Sequence, residues 1–391
     1  MRILTFLHSF EPGGVERVAL RLVRRWRAEG MDAPLFMGRA DGVLRAEVAA
    51  DMPCHIPPQP RFSVAWFETF WMILTLPPMI RRLQPDALFC AGNSYAVVAV
   101  AMKLLLGSRC PPVLAKISND LNRRDMSWPA RACYRLWLRI QGRFIDHFVA
   151  MAPGLEREIA TFIRVRPGAI SVIPSPALSH AQISRLRSIA GPASQGDGSR
   201  QFAAIGRLAR QKNLPLMLKA FAAGARAGDR LTIYGDGPDC EALVRLADRL
   251  GLSDRVNFAG HVSDPAARLH QDDIVLLSSD YEGVPAVILE ALAAGVRIIA
   301  TDCSAAMRPL LDHGRLGRLV PPGDANAFAE TIAQADALTQ DRAASLEQAH
   351  RFTMEDAFPS YLAAFTALIA AASALRQGSP AATPAHIASM T

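Results

Sequence analysis

Asp273-Ile274-Val275-Leu276-Leu277-Ser278-Ser279, followed two residues later by Glu282-Gly283-Val284-Pro285-Ala286-Val287-Ile288-Leu289-Glu290, is the stretch that decides the fold. Its first part is apolar at consecutive positions, the pattern of a short strand covered on both faces, as in a buried parallel sheet. Gly283 and Pro285 then break the strand and open a helix. Backbone N–H groups left unpaired at such a helix start attract phosphate, because the helix dipole acts with them. Glu282 lies before the turn and Glu290 inside the helix, so the two carboxylates can accept hydrogen bonds from hydroxyls at opposite ends of one extended ligand.

Strand-length apolar runs alternate with helix-period segments along almost the whole chain, which implies an α/β protein of two Rossmann-like parallel-sheet layers. Strands are expected near 2–8, 33–38, 86–91, 112–117, 146–151 and 169–173, then near 201–206, 230–234, 255–259, 273–278, 296–300 and 317–320. Between the two sets, Gly191-Pro192-Ala193-Ser194-Gln195-Gly196-Asp197-Gly198-Ser199 reads as flexible linker. The expected division is a first domain over 1–180, a linker over 181–200 and a second domain over 201–353. A helix over 354–376 crosses back to the first domain, and 377–391 is a disordered tail. Open α/β sheets bind ligands outside the carboxyl ends of their strands, so two facing sheets would share a central cleft.

A length of 391 residues is enough for two full cores, and half of the residues are hydrophobic while 20% are charged, a soluble globular composition. Six cysteines stand apart, with no Cys-x-x-Cys pair and no metal-spaced cluster with histidine, which suits a reducing cytoplasm and no structural zinc. The N-terminus has one basic residue and no small-residue cleavage site, so it reads as a first strand rather than a signal peptide. Of the net charge of +7, residues 1–180 hold 23 basic and 14 acidic side chains, so the basic half is expected to face something anionic.

That partner is expected to be an anionic membrane surface. Arg131, Arg135, Arg139 and Arg143 recur every fourth residue among Tyr134, Trp137, Leu138 and Phe144, as in a basic amphipathic helix lying on a bilayer. Phe62 to Ile80 is almost long enough to span one, but Pro77-Pro78 is expected to stop that helix early, leaving a domain helix whose Phe62, Trp66, Phe70 and Ile73 face is either buried or lipid-touching. The arginine stripes match no nucleic-acid-binding module.

Four further motifs carry chemistry. Pro12-Gly13-Gly14-Val15-Glu16-Arg17 follows the first strand and lets backbone approach a phosphate closely, without being the Gly-x-Gly-x-x-Gly of dehydrogenases. Gly206-Arg207-Leu208-Ala209-Arg210-Gln211-Lys212-Asn213 offers Arg207 as a fork and Lys212 as a point charge for one diphosphate. Ile233-Tyr234-Gly235-Asp236-Gly237-Pro238 ends another strand at the same edge. Gly260-His261-Val262 ends the next, where main-chain groups can meet a nucleobase.

As a set, Gly-Gly-x-Glu-Arg, Gly-Arg-x5-Asn containing Lys212, Tyr-Gly-Asp-Gly-Pro, Gly-His-Val and Glu-x7-Glu resembles the family 4 retaining glycosyltransferases of the GT-B fold, most closely from Gly206 to Asp324. The resemblance implies that Glu282 contacts donor-sugar hydroxyls and Glu290 the ribose diol. It implies that Arg207 and Lys212 stabilise the leaving diphosphate, with Gly13, Gly14, Gly235, Val262 and the Gly283, Val284 and Pro285 backbone on the donor. Gly317 and Pro321-Pro322-Gly323-Asp324 match a closing element of that family. Many members carry a histidine where this chain reads Ser118-Asn119-Asp120, so Asn119 and Asp120 are candidates for the acceptor side.

The implied function is metal-independent, cofactor-free transfer of a hexose from a nucleotide diphosphate sugar to a glycan or lipid-linked glycan, in polysaccharide or lipopolysaccharide synthesis. The site would be cytoplasmic, at the inner face of the membrane. A noncatalytic nucleotide-sugar-binding or assembly protein, a nucleotide-sugar epimerase and a phosphorylase are the competing readings on the same architecture.

Overall fold

The computed structural model describes residues 1–11, 13–47, 49–60, 62–123, 126–166, 168–189 and 198–376. Pro12, Arg124, residues 190–197 of the expected linker and the expected tail 377–391 lie outside the described residues. The chain divides into two compact units, the first comprising Met1–Met151, Leu155–Ile173 and the chain from Ala357, the second Ala152–Gly154 and Pro174–Asp356.

The first unit begins with β1 (Ile3–Leu7), α1 (Gly14–Ala28), β2 (Leu35–Met37), the single turn α2 (Leu44–Glu47) and α3 (Glu68–Leu83). It continues with β3 (Ala87–Cys90), α4 (Ala96–Leu106), β4 (Val113–Ile117), α5 (Trp128–Phe144), β5 (His147–Ala150), α6 (Leu155–Glu158) and β6 (Ile170–Val172). The strands form one parallel sheet in the order β2-β1-β3-β4-β5-β6. All five residues of β1 and of β4 are buried, as a strand covered on both faces requires.

The second unit opens with α7 (His180–Ile189), β7 (Gln201–Ile205), α8 (Leu214–Gly224), β8 (Arg230–Tyr234), α9 (Cys240–Arg249) and β9 (Val256–Gly260). After these come β10 (Ile274–Leu277), α10 (Ala286–Ala294), β11 (Arg297–Thr301), the turn α11 (Met307–Leu310), β12 (Arg318–Val320), α12 (Ala325–Ala333) and α13 (Arg342–His350). Its parallel sheet runs β12-β11-β10-β7-β8-β9. Phe202, Phe221, Ile274 and Phe328 sit in its core, between the sheet and helices α8 and α12. The twelve strands match the expected ones to within two residues at each end.

Two expectations are corrected. The second unit starts at Pro174, and α7 occupies part of the expected linker because Ile183 and Leu186 bury into that unit. Pro77 and Pro78 lie inside α3, which runs on to Leu83. Each proline forfeits a backbone donor, but Leu76, Pro77 and Ile80 are buried, and tertiary packing of that face carries the helix past them. Of the two alternatives for the Phe62, Trp66 and Phe70 face, the structure shows these three exposed, and the buried positions of α3 are Met72, Leu76, Pro77 and Ile80.

The last helix, α14 (Met354–Arg376), is long and apolar enough by length and composition to cross a membrane. From Ala357 it belongs to the first unit, where Ala357, Tyr361, Ala364, Phe365 and Leu368 are buried at helical spacing. Phe365 and Tyr361 pack edge-on against Trp26 of α1 and Phe89 of β3, with ring centroids 5.1 to 6.1 Å apart within this aromatic group. The Tyr361 hydroxyl is buried without a hydrogen-bond partner among the described residues. Phe365→Ala is therefore expected to lower stability by about 3–5 kcal/mol in denaturant unfolding, whereas Tyr361→Phe leaves it unchanged or raises it.

Candidate functional site

Strand order in the second unit reverses once. From β7 the chain moves to β8 and β9 on one side and places β10, β11 and β12 on the other. The helices after β7 and β10 therefore lie on opposite faces of the sheet, and a crevice opens between the loops leaving those two strands. These loops are 206–213 and 278–285, the two stretches singled out by their charged residues.

The Lys212 ammonium donates to Glu282 Oε1 at 2.7 Å, and Ser279 Oγ donates to the same oxygen at 2.8 Å. Glu282 is only 8% exposed, and its Oε2 has no hydrogen-bond partner among the described residues. The loops are sewn together around this contact. Ser278 Oγ donates to Lys212 O at 2.7 Å, Gln211 Nε2 to Tyr281 O at 2.9 Å and Asn213 Nδ2 to Asp280 Oδ1 at 2.7 Å. From the adjacent strand and the loop after it, Thr301 Oγ1 donates to Ser279 O at 2.6 Å and Ser304 Oγ to Gly283 O at 3.0 Å. Asn213 has φ 44°, a left-handed conformation that asparagine adopts more readily than most side chains, and it caps α8.

Arg207 is exposed and lines one pocket with Lys212, Gly206 and Ser278, its guanidinium unpaired among the described residues. The glycines make that pocket possible. Gly235 has φ 137°, and a Cβ there would lie 2.0 Å from Gly206 O, so only glycine lets the ends of β7 and β8 meet this closely. Gly206, at φ 153°, lies under the Lys212 stem. Gly283 is buried, Val284 half-buried, and Pro285 is the N-cap of α10.

Two family models match the chain, glycosyl transferases group 1 over residues 199–336 and glycosyltransferase family 4 over residues 12–177. The chain belongs to the family 4 glycosyltransferases of group 1. The lipopolysaccharide core biosynthesis glycosyltransferase LpsE of Rhizobium meliloti is 32% identical over 163 residues, 40% of this chain and 47% of that protein. The lipopolysaccharide 1,6-galactosyltransferase of Escherichia coli is 26% identical over 265 residues, 66% of this chain and 67% of that one. The chain spans less than half the length of the first curated relatives it matches, 14%, 47% and 33% of them. Anabaena Alr3699/HepE, solved with UDP-glucose, superposes with a TM-score of 0.70 at 20% identity over 94% of this chain and all of that one, which shows the shared fold, GT-B.

In this family 4 glycosyltransferase, then, Arg207 and Lys212 line one pocket of the second unit and Lys212 reaches Glu282, which Gly283–Pro285 follow in the chain. Gly235 sits on the neighbouring strand end, and its N–H donates to Gly260 O at 2.8 Å. Val262 follows that outer strand and is half-buried, as is Glu290, which lies in the second turn of α10. No group of three or more His, Cys, Asp or Glu side chains suited to a metal occurs among the described residues. Sequence reasoning missed Ser279, Thr301 and Ser304, which hold the Glu282 loop; the only signal was the Ser278-Ser279 pair at the strand end.

Gly13, Gly14, Asn119 and Asp120 belong to the first unit. Gly13 caps α1 in extended conformation, and Gly14 is its exposed first residue. Asp120 accepts Asn122 N–H at 2.9 Å and so shapes its own loop, while Asn119 is half-buried beside it. The first sheet reverses between β1 and β3, and there the structure joins Glu16 of the glycine motif to Tyr95 and His8, which no motif flagged. Tyr95 donates to Glu16 Oε1 at 2.6 Å and stacks on the His8 ring at 4.5 Å, and His8 Nε2 lies 3.3 Å from Thr69 Oγ1. Burial, with Arg39 adding to it, pushes His8 down to about 4, so the ring is neutral at pH 7. Burial likewise pushes Lys116 down to about 8, with Glu16 opposing the shift.

Two tests follow from these geometries. Ser279→Ala removes one of the two donors to Glu282 Oε1, and kcat/KM is expected to fall roughly fivefold for a loss of about 1 kcal/mol. His8 resists protonation in the folded state, so its contribution to stability is present above pH 6.5 and is lost as pH falls toward 4. Burial raises the Glu68 carboxyl, which acts in the opposite sense, so the comparison must isolate His8. His8→Asn is expected to flatten the loss of stability between pH 6.5 and 4 relative to wild type, measured by urea unfolding, by an amount on the order of 3 kcal/mol.

Proposed function

We propose that this protein is a retaining glycosyltransferase that moves a hexose from a nucleotide diphosphate sugar to a glycan or lipid-linked glycan acceptor. The observation that carries the reading is the Lys212–Glu282 contact at the strand-order reversal, with the unpaired Arg207 beside it. Departure of a nucleoside diphosphate builds negative charge on the leaving oxygen while the sugar carbon gains oxocarbenium character. Arg207 and Lys212 are the groups that stabilise that charge, and the helix start at Ala286, four residues after Glu282, is proposed to add its first amides. Glu282 has one oxygen committed to Lys212 and Ser279, which leaves the other to accept from sugar hydroxyls. Its orientation is set before substrate arrives, and that saves reorganisation at the moment of reaction.

The acceptor proton needs no dedicated protein base in this reading. The donor phosphate takes it from the face on which the acceptor attacks, and the anomeric configuration is kept. Lipopolysaccharide and cell-surface polysaccharide synthesis is supported as the setting by relatives named as lipopolysaccharide glycosyltransferases. Protein cations take the role a metal would otherwise have, and the proposed donor and acceptor are the only small molecules required. Gly13, Gly14, Asn119 and Asp120 are proposed to contact ligand from the first unit, Val262 the base and Glu290 the ribose.

Removing one partner of a half-buried ion pair leaves an uncompensated charge, which costs stability as well as activity. Glu282→Gln and Lys212→Met are therefore the informative variants, each with its unfolding midpoint measured alongside turnover. Transfer from a panel of nucleotide sugars to a lipopolysaccharide acceptor fraction is expected to fall about 10²–10³-fold in either variant. It is expected to be unaffected by a chelator and to give product of the donor's anomeric configuration. Donor binding without turnover in the wild type would establish the noncatalytic reading instead, and isomerised donor without transfer would establish an epimerase.

A further inference from the structure

Right-handed crossovers place α3, α4 and α5 side by side on one face of the first sheet, and α3 contacts α4 as α4 contacts α5. The outward side of this layer is unusually apolar. Trp66, in the turn before α3, is 86% exposed, and Phe70 and Leu74 continue its stripe at intervals of four residues, 58% and 55% exposed. Leu104 on α4 is 63% exposed, and Trp128 and Leu136 on α5 are 80% and 60% exposed. In the second unit the corresponding set of exposed large apolar side chains reduces to Val244 among the described residues. Scattered single residues of this kind are ordinary, but stripes on three adjacent helices are not.

The charge on the same layer is one-sided. The three helices carry seven Lys or Arg side chains, of which Lys103 pairs with Asp146 at 2.5 Å, and one carboxylate, Glu68, which is engaged by Arg39 at 3.7 Å. Only Leu138 and Gln141 of the 17-residue α5 are buried, so the helix gives little of its surface to the core. Arg139 and Arg143 are exposed with no ionic partner among the described residues, next to the Trp128–Leu136 stripe, and Arg81 and Arg82 end the α3 stripe in the same way. Aromatic side chains that seat at a headgroup boundary, flanked by unpaired arginines and almost free of carboxylates, complement an anionic lipid surface. A protein partner of ordinary composition would need matching carboxylates on a mostly apolar face, and a second copy of this layer would bring arginines against arginines.

We infer that the outward face of α3, α4 and α5 is a docking surface for an anionic phospholipid bilayer, on which the first unit lies with these helices in the plane of the interface. The surface rests on exposure and charge in the first unit alone, so it stands or falls apart from the donor chemistry of the second.

The full chain is mixed with vesicles of phosphatidylcholine containing a quarter phosphatidylglycerol, and with phosphatidylcholine vesicles, and sedimented with them. Binding is expected to the anionic vesicles, at least tenfold weaker to the neutral ones, and to weaken as salt rises. The triple variant Trp66→Ser, Phe70→Ser, Leu74→Ser is expected to lose binding at least tenfold. Arg135→Gln, Arg139→Gln and Arg143→Gln are each expected to cost about fivefold. All of these side chains are exposed, so circular dichroism and unfolding midpoint should match the wild type and separate lost docking from lost folding. Equal binding by variants and wild type, or no binding to either vesicle, overturns the proposal. So does a lipid-free dimer, seen by sedimentation velocity, that the same substitutions dissociate.

Discussion

The contact between Lys212 and Glu282 is where the architecture of the second unit becomes chemistry. Bringing an ammonium and a carboxylate out of water costs several kcal/mol per ion, and a pair with one hydrogen bond between its partners repays that poorly. Here the cost is met by additional donors and by rigidity. Ser279 gives the carboxylate a second hydrogen bond, and the two loops are tied to each other by Ser278, Gln211 and Asn213. Thr301 and Ser304 hold the Glu282 loop to the next strand and its following turn. None of this would converge without the reversal of strand order, which puts the ends of β7 and β10 side by side while sending their helices to opposite faces. Gly206 and Gly235 then let the neighbouring strand end close in without a side chain in the way.

Most of the fold was legible because the strands are buried on both faces. A run such as Ile274-Val275-Leu276-Leu277 has no polar alternation to confuse with an exposed strand, and it is too short for a helix. The misreadings share another origin. Pro77-Pro78 is a strong local stop signal, yet Leu76 and Ile80 on the same helix are buried, and packing overrides propensity when a whole face is held. The segment 181–189 was absorbed into a linker because a Gly-, Pro- and Ser-rich stretch follows it. Its anchors, Ile183 and Leu186, are three residues apart and too few to advertise a helix.

The site was legible to the extent that its parts are rare residue types at chain breaks. Lys212, Arg207 and the Glu-x7-Glu pair stand out as charges beside glycines. Serine and threonine side chains that donate to backbone carbonyls have no such signature, so Thr301 and Ser304 could be found only in three dimensions. The same holds for Tyr95 and Glu16, which are 79 residues apart and meet because β1 and β3 are neighbours in register, Phe6 opposite Cys90. The histidine buried in this unit, His8, stands just after β1, and the end of β4 carries Ser118, Asn119 and Asp120.

The two strand-order reversals are electrically unlike, and this bears on where the positive charge of the first half resides. At the reversal in the first unit the charges are answered locally. Glu16 opposes the Lys116 ammonium, Arg39 pairs with Glu11 at 2.7 Å and Asp41 at 3.1 Å, and His8 is neutral. These locally answered charges hold strand ends and loops in place. At the reversal in the second unit Lys212 is answered by Glu282, while the Arg207 guanidinium has no partner among the described residues and remains for an anion. Much of the excess of basic residues in residues 1–180 is found elsewhere among the described residues. It lies largely on the outer faces of helices, where the guanidinium groups stay in water and no desolvation penalty arises until another surface approaches.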